Sequence, residues 1–429
     1  MPSSHTPTPR CQWFSALAKA LDPRSGRWLA VLFLGLILAG GRRTLSQWIR
    51  GAGLSNQYRR CYATAAAVGH RTERIATRLL LELLKPVVAE APRLVLGLDD
   101  TPTPRYGPKV QGAGVHHNPT PGPAGGRFVY RHVWVVLGLL VGHPLGGGCG
   151  PAPADPAVHP PEEPRRARGE APARVRDQTG DGRGGGAVGA RVAEVVGEGR
   201  VGGGRRGVRQ GPSAQAPAEP RGDGGEPAQQ RRGLVLGART RAEPAGRPRV
   251  YGTQRLSLAK RAGQKGGWST GAFTQHGKTM EKRYKTFVAT WRPAGGAIRV
   301  VLVDETKGWV AFFCTDPAAV VADILGLVSD RFSLETCFRD LKQVVGVGQQ
   351  QVRGVASNVG RFHLCVWAFT MTEVWAWNQK AEALVAHRSA SPWDDANRGP
   401  SHADKRRAWQ RELLAEDIRA VVGEHPIRR

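Results

Sequence analysis

Residues 146–245 constrain most strongly what this chain can fold into. Roughly two thirds of them are Gly, Arg, Pro or Ala. No Phe, Tyr or Trp occurs between Trp134 and Tyr251, and no Lys between Lys109 and Lys260. Such a stretch cannot bury enough apolar surface to offset the entropy of ordering it. The composition therefore predicts a largely disordered segment between two ordinary flanks. A natural low-complexity linker is one origin. The other is GC-rich DNA read out of frame, because GGN, CGN, CCN and GCN encode these four residues. Moving the frame by one nucleotide across Val201 to Pro212 permits Trp-Val-Val-Asp-Gly-Gly-Val-Tyr-Ala-Lys-Gly-Pro, a strand ending in Asp. The same shift across Gln178 to Arg183 permits Lys-Leu-Glu-Met-Ala, the start of a helix. The free wobble base leaves several residues open at each shifted codon.

The flanks carry the charge. Lys plus Arg is 62 against 35 Asp plus Glu, a net +27. The central segment holds 16 Arg and 12 acidic residues, so +23 lies outside it. A balance this basic points to a polyanionic partner. Six scattered cysteines form no CxxC pair, which argues against a zinc ribbon or disulfide scaffold and predicts a cytoplasmic protein. The longest apolar run, Trp28 to Ala39, is about half the ~20 residues of a membrane span. No membrane role is expected.

Residues 1–88 read as helical, a candidate DNA-binding domain or a plain helical bundle. Helices are expected at Trp28–Ala39, at Leu45–Arg50 with Thr44 as N-cap, and at Ala65–Leu84 with Pro86 ending it. Leu94–Leu98 reads as a short buried strand and Phe128–Val141 as the next. Residues 246–315 are β-rich, with antiparallel strands at Phe287–Trp291, Ile298–Val303 and Val310–Cys314. Helices follow at Pro317–Val328, Phe332–Val345 and Phe362–Trp377 within residues 316–388. Residues 389–429 read as a polar, mobile tail with room for a helix at Lys405–Val422.

Two constellations can carry chemistry. In LGLDDT, residues 96–101, carboxylates follow a buried strand, a costly place without a purpose. A hard divalent ion would neutralise them; an Asp pair capping a turn is the plain alternative. In residues 330–353, Arg331, Glu335 and Lys342 fall near one helix face, while Leu334, Phe338 and Leu341 form a separate apolar stripe. The plain alternative there is a solvated i,i+4 salt pair.

Together these segments resemble the DDE transposases of bacterial insertion sequences, endonucleases with a ribonuclease H-like fold. The subgroup most similar carries LxxDDT followed by an EGxGxHHNPTPGP loop; here residues 111–123 read QGAGVHHNPTPGP, with Gln111 in place of Glu. The family's second motif is Tyr, two residues, Arg, three residues, Glu, six residues, Lys. Arg331, Glu335 and Lys342 match it, and Val328 stands at the Tyr position. The resemblance covers roughly residues 15–145 and 246–378.

The resemblance implies an α/β protein: an N-terminal helical domain and an interrupted ribonuclease H-like domain. That domain would comprise residues 89–145 and 316–388, with 246–315 as a β-rich insertion. It implies Asp100 as the first catalytic and metal-binding carboxylate, with Asp99 the less favoured choice, and Glu335 as the last. Arg331 and Lys342 would contact phosphates of the transposon end. The cofactor would be Mg²⁺ or Mn²⁺. The partners would be terminal-repeat and target DNA, with a homodimer in the DNA complex. Family chemistry uses three carboxylates to hold two ions ~3.5–4 Å apart. The second Asp is missing from the present frame; the shifted frame restores one at a codon straddling Gly204 and Arg205. Asp177, Asp181 and Asp223 are the in-frame candidates. The expectation is a transposase for metal-dependent strand cleavage and transfer, inactive in this chain. The alternatives are a non-catalytic DNA-binding remnant and, less favoured, an RNA-binding protein. His116 and His117 are adjacent in a Pro/Gly loop and read as packing or DNA-contact residues rather than ligands. Trp367, Trp375 and Trp377 read as core, and residues 346–354 as a loop near the DNA backbone.

Overall fold

The computed structural model describes residues 9–157 except 55, 90, 92–93, 119–124 and 142–149. It also describes residues 234–236, and 251–422 except 253, 276–277, 307, 389–394 and 396. Most of the central segment, with Asp177, Asp181, Asp223 and the expected disorder, lies outside the described residues. Two strands within it are described, at 150–157 and 234–236. The architecture is α/β, and the chain divides into two compact units: residues 1–200 with 333–429, and residues 201–332.

The first unit opens with helices α1 (Pro9–Ala18), α2 (Pro23–Leu38), α3 (Leu45–Gly51), α4 (Tyr58–Gly69) and α5 (Thr72–Leu79). Asp22 caps α2 by accepting from the Arg24 N–H at 2.9 Å, with Pro23 in the first turn. Thr44 caps α3 as expected, accepting from the Gln47 N–H. The single helix expected over Ala65–Leu84 is broken at His70–Arg71. Gly69 ends α4 where a Cβ would stand 1.9 Å from the Ala356 carbonyl oxygen, so chain packing decides the break. Pro86 does not end the helix. A π turn at Leu80–Leu84 precedes it, and Pro86 sits in the first turn of α6 (Lys85–Val88), where its missing N–H costs little. The Ile75, Leu79, Leu80 and Leu83 stripe is buried.

A four-stranded antiparallel sheet follows. Strand β3 (Phe128–Val141) pairs with β1 (Val95–Pro104), β2 (Gly114–His117) and β4 (Gly150–Ala157). Strand β1 is twice as long as expected and continues through the Asp pair. Pro102 and Pro104 do not stop it. Arg105, of the opposite parity, donates its N–H to Tyr130 across the β1–β3 pair, so the prolines' missing donors fall on the other edge. Among the described residues that edge has no strand partner.

The second unit is a sheet ordered β5 (Leu234–Leu236), β7 (Lys278–Trp291), β8 (Gly296–Glu305), β9 (Gly308–Cys314), with β6 (Ser269–Gln275) also pairing β7. The three antiparallel strands expected here are present. The β6–β7 hairpin is additional, and its polar sequence gives no alternating signal. Both faces are covered: Val301 and Val303 pack with Ile324 and Leu325, while Val300 and Leu302 pack with Leu258 and Ala262 of α7 (Leu258–Gly263). The two helices expected over Pro317–Val345 are one, α8 (Val321–Asp340), closed by a π turn at Leu341–Val345.

Helix α9 (Val355–Ala376) is the axis of the first unit and is buried along nearly its whole length. Phe362 stacks on Trp134 of β3 at 4.0 Å. At Gly360 a Cβ would lie 1.9 Å from the Ala65 carbonyl oxygen, so α4 and α9 cross backbone to backbone. After α10 (Ala381–Val385) comes α11 (His402–Val422), within the stretch read as a polar tail. Its Trp409 is fully buried and stacks with Trp375 at 5.7 Å. Arg406 closes the C-terminus of α2 by donating to the carbonyls of Leu36, Ile37 and Ala39.

Glu373 fastens α11 to α9 through His402 (2.6 Å) and Lys405. Burial alone would raise its carboxyl pKa, but Lys405 and His402 outweigh that and hold it at about 2. A depressed carboxylate contributes stability above its unfolded value, and that stability is lost as pH falls from about 4.5 through about 2. Glu373→Gln leaves Lys405 without its partner and should cost about 3–5 kcal/mol. Urea unfolding of the variant and the parent at pH 7 and pH 3 measures this, with the gap narrowing at pH 3.

Candidate functional site

The site begins with Gly97. A Cβ there would lie 2.7 Å from the Leu334 Cδ1 methyl and 3.2 Å from that of Leu140. The bare backbone lets α8 approach β1 closely. Strand alternation then places Gly97, Asp99 and Thr101 on the face turned to the helix, and Leu98 and Asp100 on the other. Asp99 is half-buried and Asp100 exposed. Asp99 accepts a 2.9 Å hydrogen bond from the Asp100 N–H, which fixes the turn of its carboxylate.

Helix α8 packs by the stripe expected of it. Leu334, Phe338 and Leu341 are 1%, 6% and 1% exposed, while Glu335 is exposed. The result is one open cleft of about 490 Å³ lined by Asp99, Asp100, Thr101, Pro102, Glu335, Phe338, Arg339, Lys342 and Gln343. Asp100, Glu335 and Lys342 are therefore brought together. Arg331 lies four residues before Glu335 on the same helix, in the second unit; its guanidinium sits over Phe332, and it does not line the cleft. Burial pulls the Lys342 ammonium below its ordinary pKa; nearby Arg131 lowers it further and Asp100 opposes the shift. Arg339 and Gln343 line the cleft without having been singled out from sequence. Their spacing of four and eight residues from Glu335 was the available signal.

Carboxylate oxygens are the right donors for a hard divalent ion. Their number falls short. Among the described residues, no group of three or more His, Cys, Asp or Glu side chains is gathered closely enough to hold one. Asp155 stands on β4, which pairs with β3 rather than with β1. His116 and His117 are on β2; His117 packs edge-on to Phe128 at 5.9 Å.

Beside the cleft, buried Arg105 joins three distant segments. Its Nε donates to His132 Nδ1 at 2.9 Å, and its Nη atoms donate to the Gly348 and Gln350 carbonyls and to Asn358 Oδ1. Burial pulls its pKa to about 10, which leaves it charged at neutral pH. With Nδ1 accepting, His132 carries its proton on Nε2 and donates it to the Gln111 carbonyl at 3.0 Å. Gln111 Oε1 in turn accepts from the Val355 N–H at the start of α9. A glutamine at this departure from the family pattern thus keeps an acceptor for the helix N-terminus, without the charge of a glutamate.

Residues 17–133 match the family model of the DDE superfamily endonucleases. This is a DDE transposase-like chain. The matched stretch is a minority of the chain; it includes β1 with Asp100 and stops short of the helix with Glu335. Endonucleases of this superfamily act on DNA, and the match gives the chain a transposase-type nuclease domain. No curated protein matches the chain. Among the described residues, no helix is long and apolar enough to cross a membrane.

Burial is the main cause that lowers the His132 pKa, Arg105 and His116 lower it further, and its bond to Gln111 opposes them. A base whose folded pKa is depressed stays neutral while the unfolded chain takes up a proton. Stability should therefore fall as pH drops below about 6.5, the ordinary histidine value. The slope of unfolding free energy between pH 7.5 and 5.5 should flatten in His132→Gln. An unchanged slope would show that His132 titrates alike in both states.

Proposed function

We propose that this chain is an insertion-sequence transposase that holds DNA ends at the β1–α8 cleft and, in its present sequence, does not cut them. The observation that carries the reading is the meeting of Asp100, Glu335 and Lys342 in one cleft. The sequence order of these residues gives no reason for them to meet unless the fold brings them there.

Each residue has a role consistent with its place. Asp100 and Glu335 are the catalytic carboxylates and would hold Mg²⁺ or Mn²⁺, which when bound supplies a Lewis acid at the scissile phosphate. Lys342 and Arg331 would bind phosphate oxygens, and Arg339 adds positive charge to the same wall. In the working enzyme, water attacks phosphorus and a DNA 3′-oxygen leaves. The freed 3′-hydroxyl then attacks target DNA. The active form would be a homodimer on paired terminal repeats. The missing second carboxylate is the reason for inactivity. In the present frame no Asp of the central segment ends a strand-like run, whereas the shifted frame supplies one.

The test compares the present chain with a frame-restored chain on DNA carrying the element's ends, with and without Mg²⁺. The present chain should bind in a salt-sensitive way without nicking. The frame-restored chain should nick, and Glu335→Gln in it should abolish nicking. Mg²⁺-dependent nicking by the present chain would overturn the inactivity and leave the enzyme reading intact. Failure of both chains to bind DNA would overturn the reading as a whole.

A further inference from the structure

The loop from β1 to β2 is held at both ends. At its start, the Arg105 N–H donates to the Tyr130 carbonyl at 2.9 Å, and its side chain is locked in the buried network described above. At its end, the Gln111 N–H donates to the Arg353 carbonyl at 2.9 Å. Between them, Tyr130 Oη donates to the Val110 carbonyl at 3.0 Å, and the Val110 N–H closes a turn onto Gly107 at 3.1 Å.

Tyr106 stands inside this pinned loop and is 93% exposed. A tyrosine on a slack loop could fold down and bury its ring. This one cannot do so without breaking the bonds on either side. Lys109 of the same loop is exposed, and so is Arg353, whose backbone is bonded to the loop's end. A lone aromatic set between two cations lacks the contiguous apolar area of a protein-docking patch.

We infer that Tyr106 is a stacking platform for an unpaired DNA base, with Lys109 and Arg353 receiving the adjoining phosphates. This rests on the reading of the chain as one that handles DNA. Every base offers a π-face, and stacking on an aromatic side chain is worth about 1–3 kcal/mol per base. A phenol is well suited to such a platform, since its hydroxyl tolerates water when the site is empty and its ring is ready for a base.

The experiment measures binding of the full chain to a labelled single-stranded oligonucleotide and to the duplex of the same sequence, by fluorescence anisotropy. Tyr106→Ala should weaken single-strand binding about 5- to 100-fold, the range that follows from the stacking energy. It should leave duplex binding and the melting temperature nearly unchanged. Tyr106→Phe, which keeps the ring, should bind like the parent. Unchanged single-strand binding in Tyr106→Ala, while the parent binds DNA, overturns this inference alone. An equal loss on single strand and duplex overturns it as well, because it marks a contact blind to base stacking. A parent chain that binds neither form of DNA overturns both this inference and the proposed function.

Discussion

At Gly97, the Leu334 methyl occupies space that any larger residue's Cβ would need. The rest of the site depends on this contact. It sets how near α8 lies to β1, and so whether a carboxylate on the strand and one on the helix can share a cleft. The apolar stripe of α8 holds the helix down from its other side, with Leu341 just before the turn that ends it. Packing and chemistry are thus divided between faces of the same two elements. The buried face carries the cost of assembly, and the open face carries the charged groups.

The same division recurs around α9. Glycines at 69 and 360 let α4 and α9 meet backbone to backbone, and Phe362 stacks on Trp134 to tie α9 to the sheet. Arg105 then fastens the end of β1 to the loop after α8 and to α9. An arginine suits this role because its planar fork reaches several acceptors at once. The loops beside the cleft are thereby held by buried bonds rather than by surface contacts. That rigidity gives the exposed Tyr106 its meaning.

Much of this was legible in the residues. The stripe of Leu334, Phe338 and Leu341 announced which side of α8 would be buried, and Glu335 emerged on the open side. The strand ahead of Asp99 was visible in its aliphatic run. Its continuation through Thr101-Pro102-Thr103-Pro104 was not, because proline ordinarily argues against a strand and only the open edge excuses it here. The break after Gly69 left no local trace, since the Ala356 carbonyl that forces it is remote in sequence. The polar end of the chain concealed α11, whose anchorage rests on Trp409, Arg406 and a buried ion cluster rather than on an apolar stripe. The Arg105 network was invisible for the same reason: its partners come from β3, the loop after α8 and α9. The β6–β7 hairpin was hidden by its polar composition.

The central claim is that Asp100 and Glu335 form one cation-binding cleft. Electron paramagnetic resonance of Mn²⁺ added to the purified chain tests it without requiring activity. Bound Mn²⁺ should fall on Asp100→Asn and fall equally on Glu335→Gln, in variants that unfold at the parent's denaturant midpoint. Mn²⁺ binding that is unchanged by both substitutions would contradict the account.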